Sequence, residues 1–169
     1  MSKLAQLQHP DPMHLKAAAG WIQLGDYDSA NDELEKIRAE WRAHPDVLDM
    51  RWFIYSHHEQ WDACLDITTA IVKTAPDRVW GWIHKAISLR RATGGGFEKA
   101  KALLLDAAKL FPDDGMIQYN LACYSAQLGQ LDAAQKYLDK SYELGDAKLI
   151  KLMALEDEDL KPLWEGASK

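Results

Sequence analysis

At 169 residues, 47% hydrophobic and 27% charged, the chain has the composition of one globular domain with a real core. A formal charge of −6 argues against nucleic acid as a partner, because neutralising phosphate takes a surplus of lysine and arginine. The opening MSKLAQLQHPDP lacks the apolar stretch of a secretory signal, and no apolar run approaches the roughly 20 residues of a membrane helix. The expectation is a cytoplasmic protein with no membrane partner.

In chain order, the pattern predicts a tail over 1–10 and then helices at about 12–24, 28–43, 46–58, 61–74, 77–92, 97–110, 114–128 and 131–144. A ninth helix is expected over about 146–155, opened by Asp146 as its cap. No stretch alternates with period two and β-branched enrichment, so no sheet is predicted.

The helices are organised by an internal repeat. Four strings align: GDYDSA at 25–30, EQWDAC at 59–64, GGFEKA at 95–100 and GQLDAA at 129–134. Their starts lie 34, 36 and 34 residues apart, and the longer step coincides with Gly94-Gly95-Gly96, a natural place for two extra turn residues. Each string carries an apolar residue (Tyr27, Trp61, Phe97, Leu131) and, three positions on, a small one (Ala30, Cys64, Ala100, Ala134). A small residue there lets two helix axes come close. Four and seven positions further stand Leu34 and Ile37, Thr68 and Ile71, Leu104 and Ala107, Leu138 and Ser141; this is the period of a helix face, with Thr68 and Ser141 its imperfect members. The preceding helices form the columns Ala18, Trp52, Ala86, Ala122 and Trp21, Tyr55, Leu89, Ser125. Trp21, Trp52, Trp61 and Trp82 read as core, whereas Trp80 is expected to point elsewhere. Pro45, Pro76 and Pro112 follow helical stretches they cannot continue, and Asp46, Asp77 and Asp113 come next as caps or first-turn acids.

On these turn signatures and repeat-end prolines the chain resembles the tetratricopeptide repeat over about residues 11–145, in particular small stand-alone bacterial members whose last repeat reads like YNLACYSAQLG (119–129) and whose end reads like ALEDEDLKPLW (154–164). The resemblance implies an all-α solenoid of four antiparallel helix–turn–helix units, 11–44, 45–78, 79–114 and 115–145, forming one domain, with a C-terminal capping helix and tail over 146–169. A solenoid must cover the apolar face of its last unit. Leu149, Leu152 and Met153 are the expected packing residues of that cap, Leu160, Leu163 and Trp164 are expected to fold back, and the acidic run Glu156–Asp159 is expected to stay solvated. The chain departs from the family at Arg51 and Lys85, where a leucine is usual; an arginine stem can pack there while its head reaches water.

No catalytic constellation emerges. His57-His58-Glu59 are adjacent on a helix end and do not converge. The triple glycine lacks the order of a phosphate loop, and there is no HExxH, no zinc-finger spacing and no GxSxG. Cys64 and Cys123 lie inside amphipathic stretches and read as buried thiols. The expected activity is therefore binding, with no enzyme chemistry, cofactor or metal.

The resemblance implies that the first helix of each unit lines the concave groove. Grooves of this family that grip a C-terminal carboxylate use Lys, Asn and Arg at fixed columns; here those columns hold Leu15, Asp49, Ile83 and Tyr119, then Ala19, Phe53, Ile87 and Cys123, so that clamp is missing. The predicted site is instead an apolar centre of Phe53, Trp80, Ile83, Ile87, Met116, Tyr119 and Cys123, rimmed by Asp46, Asp49, Arg90 and Arg91. Such a patch suits a protein or peptide partner with a few apolar anchors and an acidic flank. The alternative is self-association into a homo-oligomer without a separate client.

Overall fold

The computed structural model describes residues 5–166. It contains ten α-helices: α1 Asp11–Gln23, α2 Tyr27–Glu35, α3 Pro45–His57, α4 Trp61–Thr74, α5 Val79–Arg91, α6 Phe97–Leu110, α7 Gly115–Gln127, α8 Leu131–Leu144, α9 Ala147–Glu156 and α10 Lys161–Gly166. Two 3-10 turns, Ala39–Trp41 and Glu158–Leu160, complete the regular structure, and there is no strand among the described residues. The chain divides into two compact units, one ending at Gly81 and the other beginning at Trp82. The division falls inside α5.

The repeat columns explain why these segments are helices and what they bury. Ala30, Cys64, Ala100 and Ala134 are all wholly inaccessible, as are Leu34, Thr68, Leu104 and Leu138 one turn on. Ile37, Ile71, Ala107 and Ser141 follow and are buried too. The two polar members satisfy themselves locally: the Thr68 hydroxyl donates to the Cys64 carbonyl at 2.8 Å and the Ser141 hydroxyl to that of Leu138 at 2.6 Å. A buried hydroxyl with such a partner avoids the desolvation cost of an orphaned one. In the first unit α1 packs on α2, and α3 packs on α1, α2 and α4; Ala18, Leu34, Val47 and Ile54 sit at the centre of this core. In the second unit α7 packs on α6 and α8, and α8 on α9.

The turns obey one backbone rule. Gly25 and Gly129 close their pairs with φ of 76° and 71°, in the left-handed region that costs a side chain energy. The equivalent residue between α3 and α4 is Glu59, which takes φ 55° without being glycine.

Several expectations are corrected. The second helix stops at Glu35, well before residue 43. The cause is tertiary: the buried Asp11 carboxylate accepts the Arg38 backbone N–H at 2.9 Å and its guanidinium Nε at 2.8 Å, which holds Arg38 extended. Arg42 then donates to the freed carbonyls of Glu35 and Ile37. Trp21 is 39% exposed, since Ala18, with Ile22 beside it, takes the inward side of α1. Trp52 is buried, and Trp61 and Trp82 are half-buried. The cap of α3 is His44, whose Nδ1 accepts the Asp46 N–H, so Asp46 is the first-turn acid that was its other expected role; the cap of α7 is Asp114, not Asp113. Arg51 packs its stem and ends on Glu35, 2.7 Å away.

Asp146 caps α9, accepting from the N–H groups of Lys148 and Leu149 at 3.0 and 3.1 Å. The helix is rotated from the expected setting: Ile150 and Ala154 are its buried residues, while Leu149 and Leu152 face outward. Beyond it Leu160 and Leu163 are buried as expected, with α10 against α7 and α8, whereas Trp164 stays 39% exposed.

Candidate functional site

In the first unit the first-helix layer, α1 and α3, bounds an open cleft of about 650 Å³. Its apolar surface comes from Leu7, Leu15, Ala19 and Met50; Lys16, His44, Asp46, Asp49 and Arg78 supply the polar rim. The geometry follows from helix spacing. Pro12, Leu15, Lys16 and Ala19 recur at three and four along α1, and Asp46, Asp49 and Met50 do so along α3. The rim is partly organised already. Arg78 is ion-paired with Asp46, and the His44 ring bridges two segments, with Nδ1 3.2 Å from the Asp46 N–H and Nε2 3.0 Å from the Ala5 carbonyl. Both members of the Arg78–Asp46 pair keep over a third of their side chains in water, so it orients the rim more than it stabilises the fold.

In the second unit the corresponding helix, α7, does not present an empty face. The acidic segment after α9 lies on it. The Tyr119 hydroxyl donates to Asp157 at 2.7 Å, and the Cys123 thiol lies 3.6 Å from the same carboxylate oxygen. Arg90 of α5 is ion-paired with Asp159, and Gln127 donates to the Asp159 carbonyl at 2.9 Å. The Arg90 guanidinium also stands 5.2 Å from the Phe97 ring centre and 5.6 Å from that of Tyr124. Burial, then the Asp157 carboxylate, pushes the Cys123 thiol far above its ordinary range, and burial followed by the bond to Asp157 does the same to Tyr119. A small recess of about 250 Å³ remains between Ile87, Arg90, Asn120 and the two aspartates.

The predicted site residues therefore separate. Asp46 and Asp49 meet in the cleft of the first unit. Phe53, one turn further along α3, is half-buried with its ring edge-on to Trp52, and Trp80 is 51% exposed. In the second unit Ile83, Tyr119 and Cys123 are buried and belong to packing, which corrects their expected exposure. Ile87 and Met116 are half-buried, Arg90 is engaged by Asp159, and Arg91 is exposed. The acidic run is corrected too: Asp157 and Asp159 are structural ligands, and Glu156 and Glu158 remain in water. The sequence reading passed over Lys16, Met50 and Arg78. The helical spacing of α1 and α3 could have found the first two; Arg78 reaches Asp46 across 32 residues and had no local signal.

His57-His58-Glu59 make a turn, with the His57 ring stacked on Tyr27 at 3.8 Å. Among the described residues no group of three or more His, Cys, Asp or Glu is placed to hold a metal ion, and no helix is long and apolar enough to cross a membrane.

Neither a protein-family model nor a curated protein matches the sequence. Solved structures do match. A thermophilic TPR protein of Thermus thermophilus superposes with a TM-score of 0.76 at 20% identity, over 93% of this chain and 82% of that one. MamA from Desulfovibrio magneticus RS-1, from residue 41 to its end, does so with a TM-score of 0.66 at 14% identity, over 96% and 94%. MamA of strain MSR-1 gives 0.62 at 18% identity, over 82% and 78%. Together with the four in-phase turn strings, these likenesses show that the chain has the tetratricopeptide-repeat fold, the all-α helical-repeat architecture.

Proposed function

We propose that this chain is a protein-interaction module that holds a short segment of a partner polypeptide in the cleft between α1 and α3. The observation that carries the reading is the cleft itself: about 650 Å³, open to solvent, with an apolar floor and a rim of charges of both signs. That is the makeup of a peptide-recognition groove, where a few apolar anchors supply affinity and rim charges set register. The second unit supports it by analogy, because Tyr119, Arg90 and Gln127 hold the chain's own acidic segment through the Asp157 and Asp159 carboxylates and the Asp159 carbonyl. Asp46 and Asp49 supply the acids of the site, Lys16 and Arg78 its bases, and Leu15, Ala19 and Met50 its apolar surface. The segment it takes is helical or extended, with one or two apolar side chains between charges of both signs.

A displayed-peptide selection against the full chain tests this. Ala19→Trp fills the cleft floor and Lys16→Glu inverts the rim, and neither removes a core side chain. Selected peptides should lose at least tenfold in affinity for each variant, the loss of about 1.4 kcal/mol expected at a recognition hot spot, and should bind Arg91→Glu normally. Failure to select a binder, or binders indifferent to both cleft variants, would refute the reading.

A further inference from the structure

The outer face of α9 carries three leucines at three-residue spacing: Leu149, Leu152 and Leu155, exposed to 55%, 56% and 77%. Isolated exposed leucines are ordinary, but a contiguous row on a ten-residue helix is an apolar patch of the kind that marks an interaction surface. The inner face is already spent, with Ile150 and Ala154 buried. At 100° per residue Leu152 lies at the middle of the outer face, with Leu149 and Leu155 equally far to either side of it and one turn before and after. Lys148 and Glu156 flank it in the same way, four residues before and four after. Both are exposed, and among the described residues neither takes part in an ion pair.

We infer that this face pairs with itself: two copies of the chain associate through antiparallel α9 helices on a two-fold axis at Leu152. The arrangement is self-complementary in both shape and charge, as a two-fold interface must be. In that register Leu152 meets Leu152 of the second copy, Leu149 shares a layer with Leu155 of the second copy, and Lys148 comes within reach of Glu156 of the second copy, twice over. A parallel pairing would set Lys148 against Lys148 and Glu156 against Glu156. One face of a ten-residue helix offers less than the roughly 800 Å² per partner of a standard stable interface. The dimer is accordingly weak and reversible, and populated at high protein concentration.

Sedimentation equilibrium on the full chain over a broad concentration range tests it. The weight-average mass should climb from the monomer toward the dimer. Leu152→Glu places a charge on the axis and should hold the chain monomeric, with helix content and melting temperature unchanged. Lys148→Glu and Glu156→Lys should each weaken association about tenfold, since two rim attractions become two repulsions, and the double variant should regain the wild-type constant. A monomer mass at every concentration, a dimer that survives Leu152→Glu, or a double variant no better than the single ones would overturn the proposal.

Discussion

Leu160→Ala asks whether the C-terminal segment is a cap or a tail. Leu160 is 0% exposed, lying in the 3-10 turn that packs on α7. Truncation to alanine removes three carbon groups, worth about 2.4 kcal/mol of transfer free energy at about 0.8 kcal/mol each. Incomplete collapse around the void adds a further cost, so the total falls at about 2–5 kcal/mol. That is a large share of the roughly 5–15 kcal/mol typical of a domain. Leu152, 56% exposed on the outer face of α9, makes the matched control, and Leu152→Ala should cost under about 0.5 kcal/mol. Urea unfolding followed by circular dichroism measures both. If Leu160→Ala loses less than about 1 kcal/mol, or no more than the control, the segment is a tail.

Other perturbations follow from named contacts. Tyr119→Phe leaves the Asp157 carboxylate one donor short and should lower stability by about 1–3 kcal/mol in the same assay, with little change in helix content. Glu59→Gly relieves the positive φ at the α3–α4 turn, and calorimetry should show a gain of about 0.5–1 kcal/mol. Burial raises the Cys64 thiol to about 11 and that of Cys123 further, so both should resist a thiol reagent at neutral pH in the folded chain and react fully in urea. Asp11 is held below its ordinary 3.8, chiefly by the hydrogen bond from Arg38. The unfolded chain therefore takes up this proton first. The contribution is complete above that ordinary value and vanishes as the pH falls through the lowered one; Asp11→Asn should flatten this part of a melting-temperature profile taken down to about pH 2.

The fold was legible because the repeat repeats the same physical demand. A helix closing against its neighbour needs a small residue where the axes meet and apolar residues one and two turns on, and Ala30, Leu34 and Ile37 state that demand as plainly as Ala100, Leu104 and Ala107. What escaped depends on contacts distant in sequence. Nothing near Lys36 foretells that Asp11 will end α2 by taking the Arg38 N–H. The setting of α9 was ambiguous because apolar residues occupy both of its sides, the three leucines one and Ile150 and Ala154 the other, and a ten-residue helix gives periodicity little to average over. The acidic run looked like solvated loop because its partners, Arg90 and Tyr119, lie 69 and 38 residues from Asp159 and Asp157. The same contacts explain why Tyr119 and Cys123, reasonable groove residues by column, are covered. Asp46 and Asp49 needed only the regular spacing of α3 to be read as neighbours.

Hydrogen exchange of the full chain, with and without a selected peptide, tests the binding account most directly, because it locates the partner without assuming where it sits. The account predicts added protection in residues 12–19 of α1 and in 44–50, the cap and first turns of α3, with α9 unchanged. Protection confined to α2 and α4, or to the outer face of α9, would contradict it.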